Sequence, residues 1–500
     1  MRIRLAFLLC SVLSAQAPAP QPSQRQRLLM ESITADSMRG DVSFLASDLL
    51  EGRETPSRGL DIEAEYIAAQ FRGAGLQAAG NDGFFQNAEL RVVRPAAGSV
   101  TMSIAHDGDS ISIGPEEVSA VKGFHEAFTA EGLQAVKVPV TDARSLTREE
   151  VEGKVVLTRF RVSREVPVAQ QAEWFSEIAR FRNALRPLQP AFVVNVNPSG
   201  RGRSRAPAAY VDPQASSKAL RSVTVSNQKL SELYESLAPG ATPIKVSVEV
   251  EDPETSRLEG RNVAGFLPGS DPALKDTYVV ISAHYDHVGT RSTGEDRIFN
   301  GANDNASGVA GLIELARAFA RLEQPLRRSL LFIAYFGEEK GLIGARYYSS
   351  HPLFPLERTV ANINLEHLGR TDDNQGSQAG KATVTGYQFS DVGPILTRAG
   401  EATGYDVYDL EGNDVYFDRS DNAPLAAAGV PAHTVAVTFE FPDYHDVGDE
   451  WQKLDYANME LAVETVAIGI MTIADSAEAP KWNQKDPRTA DYRRARARTR

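Results

Sequence analysis

The 500-residue chain has a single cysteine, Cys10. One thiol excludes an intrachain disulfide, so stability must come from hydrophobic cores. Positive charge is also short. The 53 Lys and Arg against 66 Asp and Glu leave a formal charge of -13, which argues against nucleic acid or an anionic membrane as the main partner. Beyond the N-terminus no apolar stretch reads as long enough to span a bilayer, so no transmembrane anchor is expected. Internal repeats are missing as well. What is there, 42% hydrophobic and 24% charged residues, is ordinary for a soluble protein. The length exceeds one core and predicts two domains.

The N-terminus reads as an export signal over residues 1–17. Arg2 and Arg4 precede the apolar run Leu5–Leu13, which contains Cys10, and the small residues Ser14, Ala15 and Ala17 follow. Cleavage after Ala17 or Ala15 predicts a secreted or periplasmic protein without cysteine. Pro18 to Gln26 reads as a disordered spacer. At the other end, prolines and the Arg-rich run Arg493–Arg500 predict a disordered basic tail over 476–500.

Five residues of metal-ligand type occur in a fixed order, each reading as the end of a buried strand. They are His284, Asp304, Glu339, Glu366 and His445, and Glu338 stands beside one of them. Tyr278–Ala283, Leu330–Tyr335 and Val360–Leu365 are short, nearly continuous apolar runs, as expected of strands covered on both faces. Between the first two, Ser307 reads as the cap of a helix whose apolar residues Val309, Leu312, Ile313, Ala316 and Phe319 recur at helical spacing. Alternating strands and helices imply an α/β sheet, where ligands gather beyond the carboxyl ends of strands. Singly, each residue has a bland explanation: a turn Asp, a solvated Glu-Glu pair, a surface His. Together they suit two zinc ions, with one carboxylate bridging and one His plus one further carboxylate on each metal. That pattern points to hydrolysis.

The chain resembles the M28 zinc peptidases, co-catalytic di-zinc aminopeptidases and their carboxypeptidase relatives. The resemblance is carried by Ala283-His284-Tyr285-Asp286-His287, Gly301-Ala302-Asn303-Asp304-Asn305-Ala306-Ser307-Gly308, Gly337-Glu338-Glu339-Lys340-Gly341, Ser420-Asp421 with Gly429-Val430-Pro431, and Tyr444-His445 with Asp449. Phe44–Asp48 and Gly52-Arg53 also look like the opening of secreted bacterial members. The resemblance implies a mixed, mostly parallel sheet flanked by helices. It also implies two Zn2+ ions, one on His284 and Glu366, the other on Glu339 and His445, with Asp304 bridging. Glu338 would be the general base, Asp286 would support His284 from behind, and Tyr444 would polarise the scissile carbonyl.

Three departures stand out. Glu366 replaces the usual Asp, Asn422 stands where His is common, and Leu425 and Ala345 are packing changes. His287, His367 and His433 lie near the motifs and read as core or rim histidines. Residues 117–230 read as an inserted α+β domain similar to the protease-associated domain of secreted relatives, splitting the peptidase domain into 28–116 and 231–475. Arg201, Arg203 and Arg205 fall in its Ser/Gly-rich loop. The implied function is a secreted aminopeptidase acting on peptide substrates, of open oligomeric state. A carboxypeptidase or dipeptidase is the alternative, with Arg370, Arg398 or Arg419 as anchor for the substrate carboxylate. A non-catalytic binding protein and a single-zinc glutaminyl cyclase on the same fold rank below.

Overall fold

The computed structural model describes residues 21–95, 100–141, 146–160, 166, 168–197, 208–213, 220–374 and 376–499. The expected export signal and the three loop arginines lie outside the described residues.

The three apolar runs are strands Tyr278–His284, Ser329–Tyr335 and Thr359–Glu366, buried at every position. With Ala432–Ala436 they form the parallel centre of a ten-stranded mixed sheet, in the order 432–436, 359–366, 278–284, 329–335. Side chains alternate between two hydrophobic clusters. Val279, Ile281 and Ala283 join the cluster under helix Ser307–Ala320, while Val280 joins the one under helices Ile343–Ser350 and Asn422–Ala427. The chain passes from 278–284 to its neighbour on one side, then crosses back to its neighbour on the other. The strand order therefore reverses at the carboxyl end of Tyr278–His284, where α/β sheets open a crevice. Ser307 does not cap the helix. It is the first helical residue, its hydroxyl donates to the Asn303 carbonyl at 2.7 Å, and it accepts the Leu368 N–H at 2.9 Å.

Antiparallel strands Phe85–Arg94 and Glu254–Leu267 form a long ribbon at one flank of this sheet. From one end of the ribbon, where Arg94 faces Glu254, the chain enters and leaves a second, eight-stranded sheet whose strands begin at Val100 and end at Val250, with its own apolar core. This unit is wider than the 117–230 expected. The first and last strands of this unit in chain order, Val100–His106 and Gly240–Val250, pair with each other, a long-range pairing that no local composition change marks.

Helix Tyr456–Asp475 corrects the expectation that no later stretch could span a bilayer. It is long and apolar enough by length and composition, yet most of it is buried in the core of the large sheet. The spacer expected to reach Gln26 gives way to helix Gln24–Glu31, with Ser23 as its cap. The basic tail is ordered as far as it is described. Trp482 is buried, donates Nε1–H to the Gly429 carbonyl at 2.9 Å and stacks on Tyr492 with ring centroids 4.9 Å apart. Helix Ala490–Thr499 lies so close that a Cβ at Gly429, where φ is +96°, would sit 2.4 Å from the Arg496 nitrogen. The buried Trp482 and the half-buried Tyr492 outweigh a composition that is otherwise that of a disordered segment.

His433, one of the histidines near the motifs, belongs to this core. Its Nδ1 is 2.8 Å from the Thr385 carbonyl and Nε2 is 2.6 Å from Ser390 Oγ, so the neutral ring is satisfied at both nitrogens. Burial pushes its pKa down to about 4, opposed only by the Thr385 bond. The folded state thus refuses a proton that the unfolded state takes below an ordinary His pKa. Its contribution is complete above about pH 6.5 and lost as pH falls towards 4, about 3 kcal/mol at most. His433→Gln is expected to flatten that part of the pH dependence of the urea midpoint. An identical acid slope in both proteins would assign it to other groups.

Candidate metal centre

His284 and Glu366 are the last residues of their strands, and Glu338 and Glu339 follow strand Ser329–Tyr335 by a short turn. Asp304 and His445 are not at strand ends. Asp304 lies in the turn before helix Ser307–Ala320, and His445 sits in the loop after Ala432–Ala436. All five converge above the point where the strand order reverses.

Asp304 is the hub. Its Oδ1 lies 3.4 Å from His284 Nε2 and 3.4 Å from His367 Nε2; its Oδ2 lies 3.1 Å from His445 Nε2 and 3.7 Å from His287 Nδ1. On the first side, Glu366 Oε1 is 3.7 Å from His284 Nε2. On the second, Glu339 Oε1 is 3.1 Å from both His445 Nε2 and His287 Nδ1. Donors bound tetrahedrally at about 2.0–2.1 Å stand roughly 3.3–3.4 Å apart, and these spacings are close to that separation, as a candidate metal site requires. The tightest quartet is His287, Asp304, Glu339 and His445, whose donor atoms all lie within 4.8 Å of one another. His287 and His367, expected in the core or at the rim, therefore face the site.

Electrostatics agree with a site built for cations. Burial works to raise the Asp304 pKa, but the His367 charge and hydrogen bonds from His284, His367 and His445 hold it well below the usual carboxylate range. Burial pulls His445 down, yet Asp304 and Glu339 raise it to about 10. Glu338 is held well above the ordinary Glu value, first by burial and then by Glu339, Glu366 and Asp421, against the pull of His284.

The surrounding residues hold the hub in place. Asp449 is fully buried and accepts the Asn303 N–H at 2.9 Å and the Asp304 N–H at 3.1 Å. The Ser420 hydroxyl donates to Glu366 and accepts from Asn364. His284 Nδ1 lies 3.2 Å from the Asp286 backbone carbonyl but 3.8 Å from its carboxylate. The Asp286 carboxylate instead accepts the Glu338 N–H at 2.9 Å and the Thr55 hydroxyl at 3.1 Å, so it positions Glu338 rather than the imidazole. Asn422, at the position where His is common, is buried and bonds the Phe417 carbonyl and Thr434. Leu425 and Ala345 are fully buried packing residues.

A cavity of about 290 Å³ opens over His284, Asp304, Glu338 and Glu366. Phe439, Phe441 and Tyr444 form an aromatic wall, and Tyr444, 40% exposed, stacks on His445 at 4.1 Å. Of the three candidate arginines only Arg419 lines the cavity. Arg370 is bound to Asp372 at 2.6 Å and Asp443 at 2.7 Å, and Arg398 is exposed on helix Val392–Thr403.

Sequence reasoning passed over Arg53 and Glu63. Arg53 is fully buried and donates to the carbonyls of Leu45, Tyr285, Asn300 and Gly301, tying the N-terminal segment to both ligand-bearing loops. The run Gly52-Arg53 was the available signal, but nothing local tells a buried arginine from a solvated one.

Residues 262–468 match the model of peptidase family M28. The chain is 28% identical over 213 residues to the aminopeptidase YwaD of Bacillus subtilis, a match covering 41% of this chain and 43% of that protein. It is 28% identical over 226 residues to the uncharacterized protein YfbL of Escherichia coli, covering 41% of this chain and 68% of that one. A vacuolar membrane protease of Tuber melanosporum matches over 135 residues at 33% identity, 26% of this chain and 13% of that protein. The chain thus spans less than half the length of the aminopeptidase and a small part of the vacuolar protease. Among solved structures, an aminopeptidase from Aneurinibacillus sp. strain AM-1 shares the fold, with a TM-score of 0.51 and 20% identity over 91% of this chain and 97% of that one. The motifs, their convergence above the sheet and the family match agree: over residues 262–468 this chain carries a domain of peptidase family M28.

Proposed function

We propose that the protein is an exported, zinc-dependent exopeptidase, an aminopeptidase that removes N-terminal residues from peptides. The observation that carries this reading is the position of Asp304, one oxygen towards His284, which also faces Glu366, the other towards His445, which also faces Glu339, in the lining of a cavity that also contains Glu338. His284, Glu366 and Asp304 would hold one zinc; Glu339, His445 and Asp304 the other. Zinc, when bound, supplies a Lewis acid that polarises a carbonyl and acidifies water towards a pKa of about 7.

The chain's own groups do the rest. Glu338, its backbone anchored on Asp286, takes a proton from the attacking water as the new C–O bond forms. It returns that proton to the nitrogen as the C–N bond breaks, so the products are a free amino acid and a shortened peptide. Tyr444 stands at the cavity edge to donate a hydrogen bond to the carbonyl oxygen. The aromatic wall would take the terminal side chain, and the carboxylates beneath it the α-ammonium group.

Acetylating the N-terminus of a good substrate is expected to abolish cleavage, because it removes the charge those carboxylates bind. Equal hydrolysis of free and acetylated peptides would reject the aminopeptidase assignment.

Arg419 supports one alternative, a carboxypeptidase or dipeptidase in which its guanidinium receives the substrate carboxylate. On that reading Arg419→Ala raises KM about 10–100-fold for N-blocked peptides with a free C-terminus. The aminopeptidase reading expects no cleavage of those peptides to begin with.

A further inference from the structure

We infer that His367 is itself a metal ligand, joining His284, Glu366 and Asp304, so that one metal position carries two imidazoles. The inference rests on the reading above that the site holds metal.

The ring's orientation carries the argument. His367 Nδ1 is 3.1 Å from the Thr438 carbonyl oxygen, and a carbonyl only accepts, so the proton belongs on Nδ1. Nε2 is then bare, and it faces another acceptor, Asp304 Oδ1, at 3.4 Å. Two lone pairs at that distance repel unless a cation or a second proton lies between them. His284 repeats the arrangement: Nδ1 is 3.2 Å from the Asp286 carbonyl, and Nε2 is 3.4 Å from the same oxygen of Asp304. An imidazole whose far nitrogen is fixed by a backbone carbonyl is the usual state of a metal-bound histidine. His287 differs. Its Nδ1 faces Glu339 while Nε2 has no partner among the described residues, so no backbone carbonyl fixes the ring from behind.

The backbone supports the same conclusion. Residues that follow one another in a strand point to opposite faces, so continuing strand Thr359–Glu366 would turn His367 away from Glu366. His367 instead adopts φ +50°, a left-handed conformation that costs a non-glycine residue about 1–2 kcal/mol. That single residue brings both side chains to one site. His445 has φ +52° and is likewise aimed at Asp304. Strain of this kind in a buried residue persists where function demands the geometry. Two imidazoles with two carboxylates also suit zinc, cobalt or nickel better than magnesium or calcium.

Crystals of the wild-type protein loaded with zinc, examined by anomalous scattering at the zinc edge, test the proposal. The expected result is a zinc within about 2.0–2.2 Å of Nε2 of both His284 and His367. A zinc bonded to His284 and Glu366 with His367 Nε2 beyond about 3 Å, the distance of a hydrogen bond, overturns it. No zinc at either position would instead overturn the metal reading on which it rests. In solution, His367→Phe fills the same volume without a donor atom. It is expected to lose one zinc equivalent by metal analysis after dialysis and to keep the other. Two equivalents retained at wild-type affinity would also overturn the proposal.

Discussion

Glu338→Gln is expected to lower kcat by about 10²–10⁴-fold while leaving zinc content near that of the wild type. The substitution keeps the shape of the side chain and removes its basicity. Glu338 lines the cavity, and its backbone N–H is fixed on Asp286, so the neutral amide should sit where the carboxylate sat. No imidazole lies within ion-pair distance of its carboxylate among the described residues, whereas Glu339 has two at 3.1 Å. On the proposed reading, these neighbours suit Glu338 to handling a proton and Glu339 to holding metal. Glu339→Gln is expected to give the opposite pattern, with zinc lost first and turnover falling in consequence. Metal analysis beside steady-state kinetics on both variants decides. If Glu338→Gln loses zinc and keeps most of its rate, the two roles are reversed.

Arg53→Ala is expected to give the largest loss of stability of any single change considered, about 3–5 kcal/mol. Its guanidinium satisfies four buried carbonyls, and two of them, Asn300 and Gly301, belong to the loop leading into Asp304. A third, Tyr285, follows His284 directly. Alanine would leave these acceptors without a partner in a region closed to water. The ion pair with Glu63 contributes less than its 2.8 Å separation suggests. Arg53 Nε–H is aligned on the Tyr285 carbonyl, and neither Glu63 oxygen accepts a hydrogen bond among the described residues. Burial raises the Glu63 pKa to about 8, against the opposing pull of Arg53. Glu63→Gln should therefore cost far less than Arg53→Ala, and Arg53→Lys, with one nitrogen in place of a planar fork, should fall between. Urea unfolding of the three variants tests the order. Equal losses at Arg53 and Glu63 would show that the ion pair, not the carbonyls, is what matters. Because the anchored loops carry His284 and Asp304, Arg53→Ala should also weaken zinc binding.

The strands that carry His284, Glu338 and Glu366 were legible because a strand buried on both faces must be apolar along its length, and a charged residue at its end has few bland explanations. Asp304 and His445 were legible only as members of an ordered set, since neither ends a strand. His287 and His367 were visible as residues but not as participants. Whether a histidine beside a motif turns inward depends on one backbone angle, φ +50° at His367, and on a carbonyl 71 residues away at Thr438. The tail beyond Ser476 was misread for a related reason. Its composition is that of a solvated segment, and the surface that Trp482 and Tyr492 cover is made elsewhere in the chain.

By itself, then, the sequence determined which residue types could bind metal, the strands and helices that present them, and the family to which residues 262–468 belong. Those are properties of short windows, set by side-chain periodicity and by the chemistry of the donors. Only the tertiary structure decided that one carboxylate, Asp304, faces four imidazoles, that Asp286 turns its carboxylate to Glu338 and its backbone carbonyl to His284, and that Arg53 ties together the two segments that carry His284 and Asp304. Each of these joins residues from separate segments, and such contacts are selected by the packing of the whole sheet and its loops, which no local pattern contains.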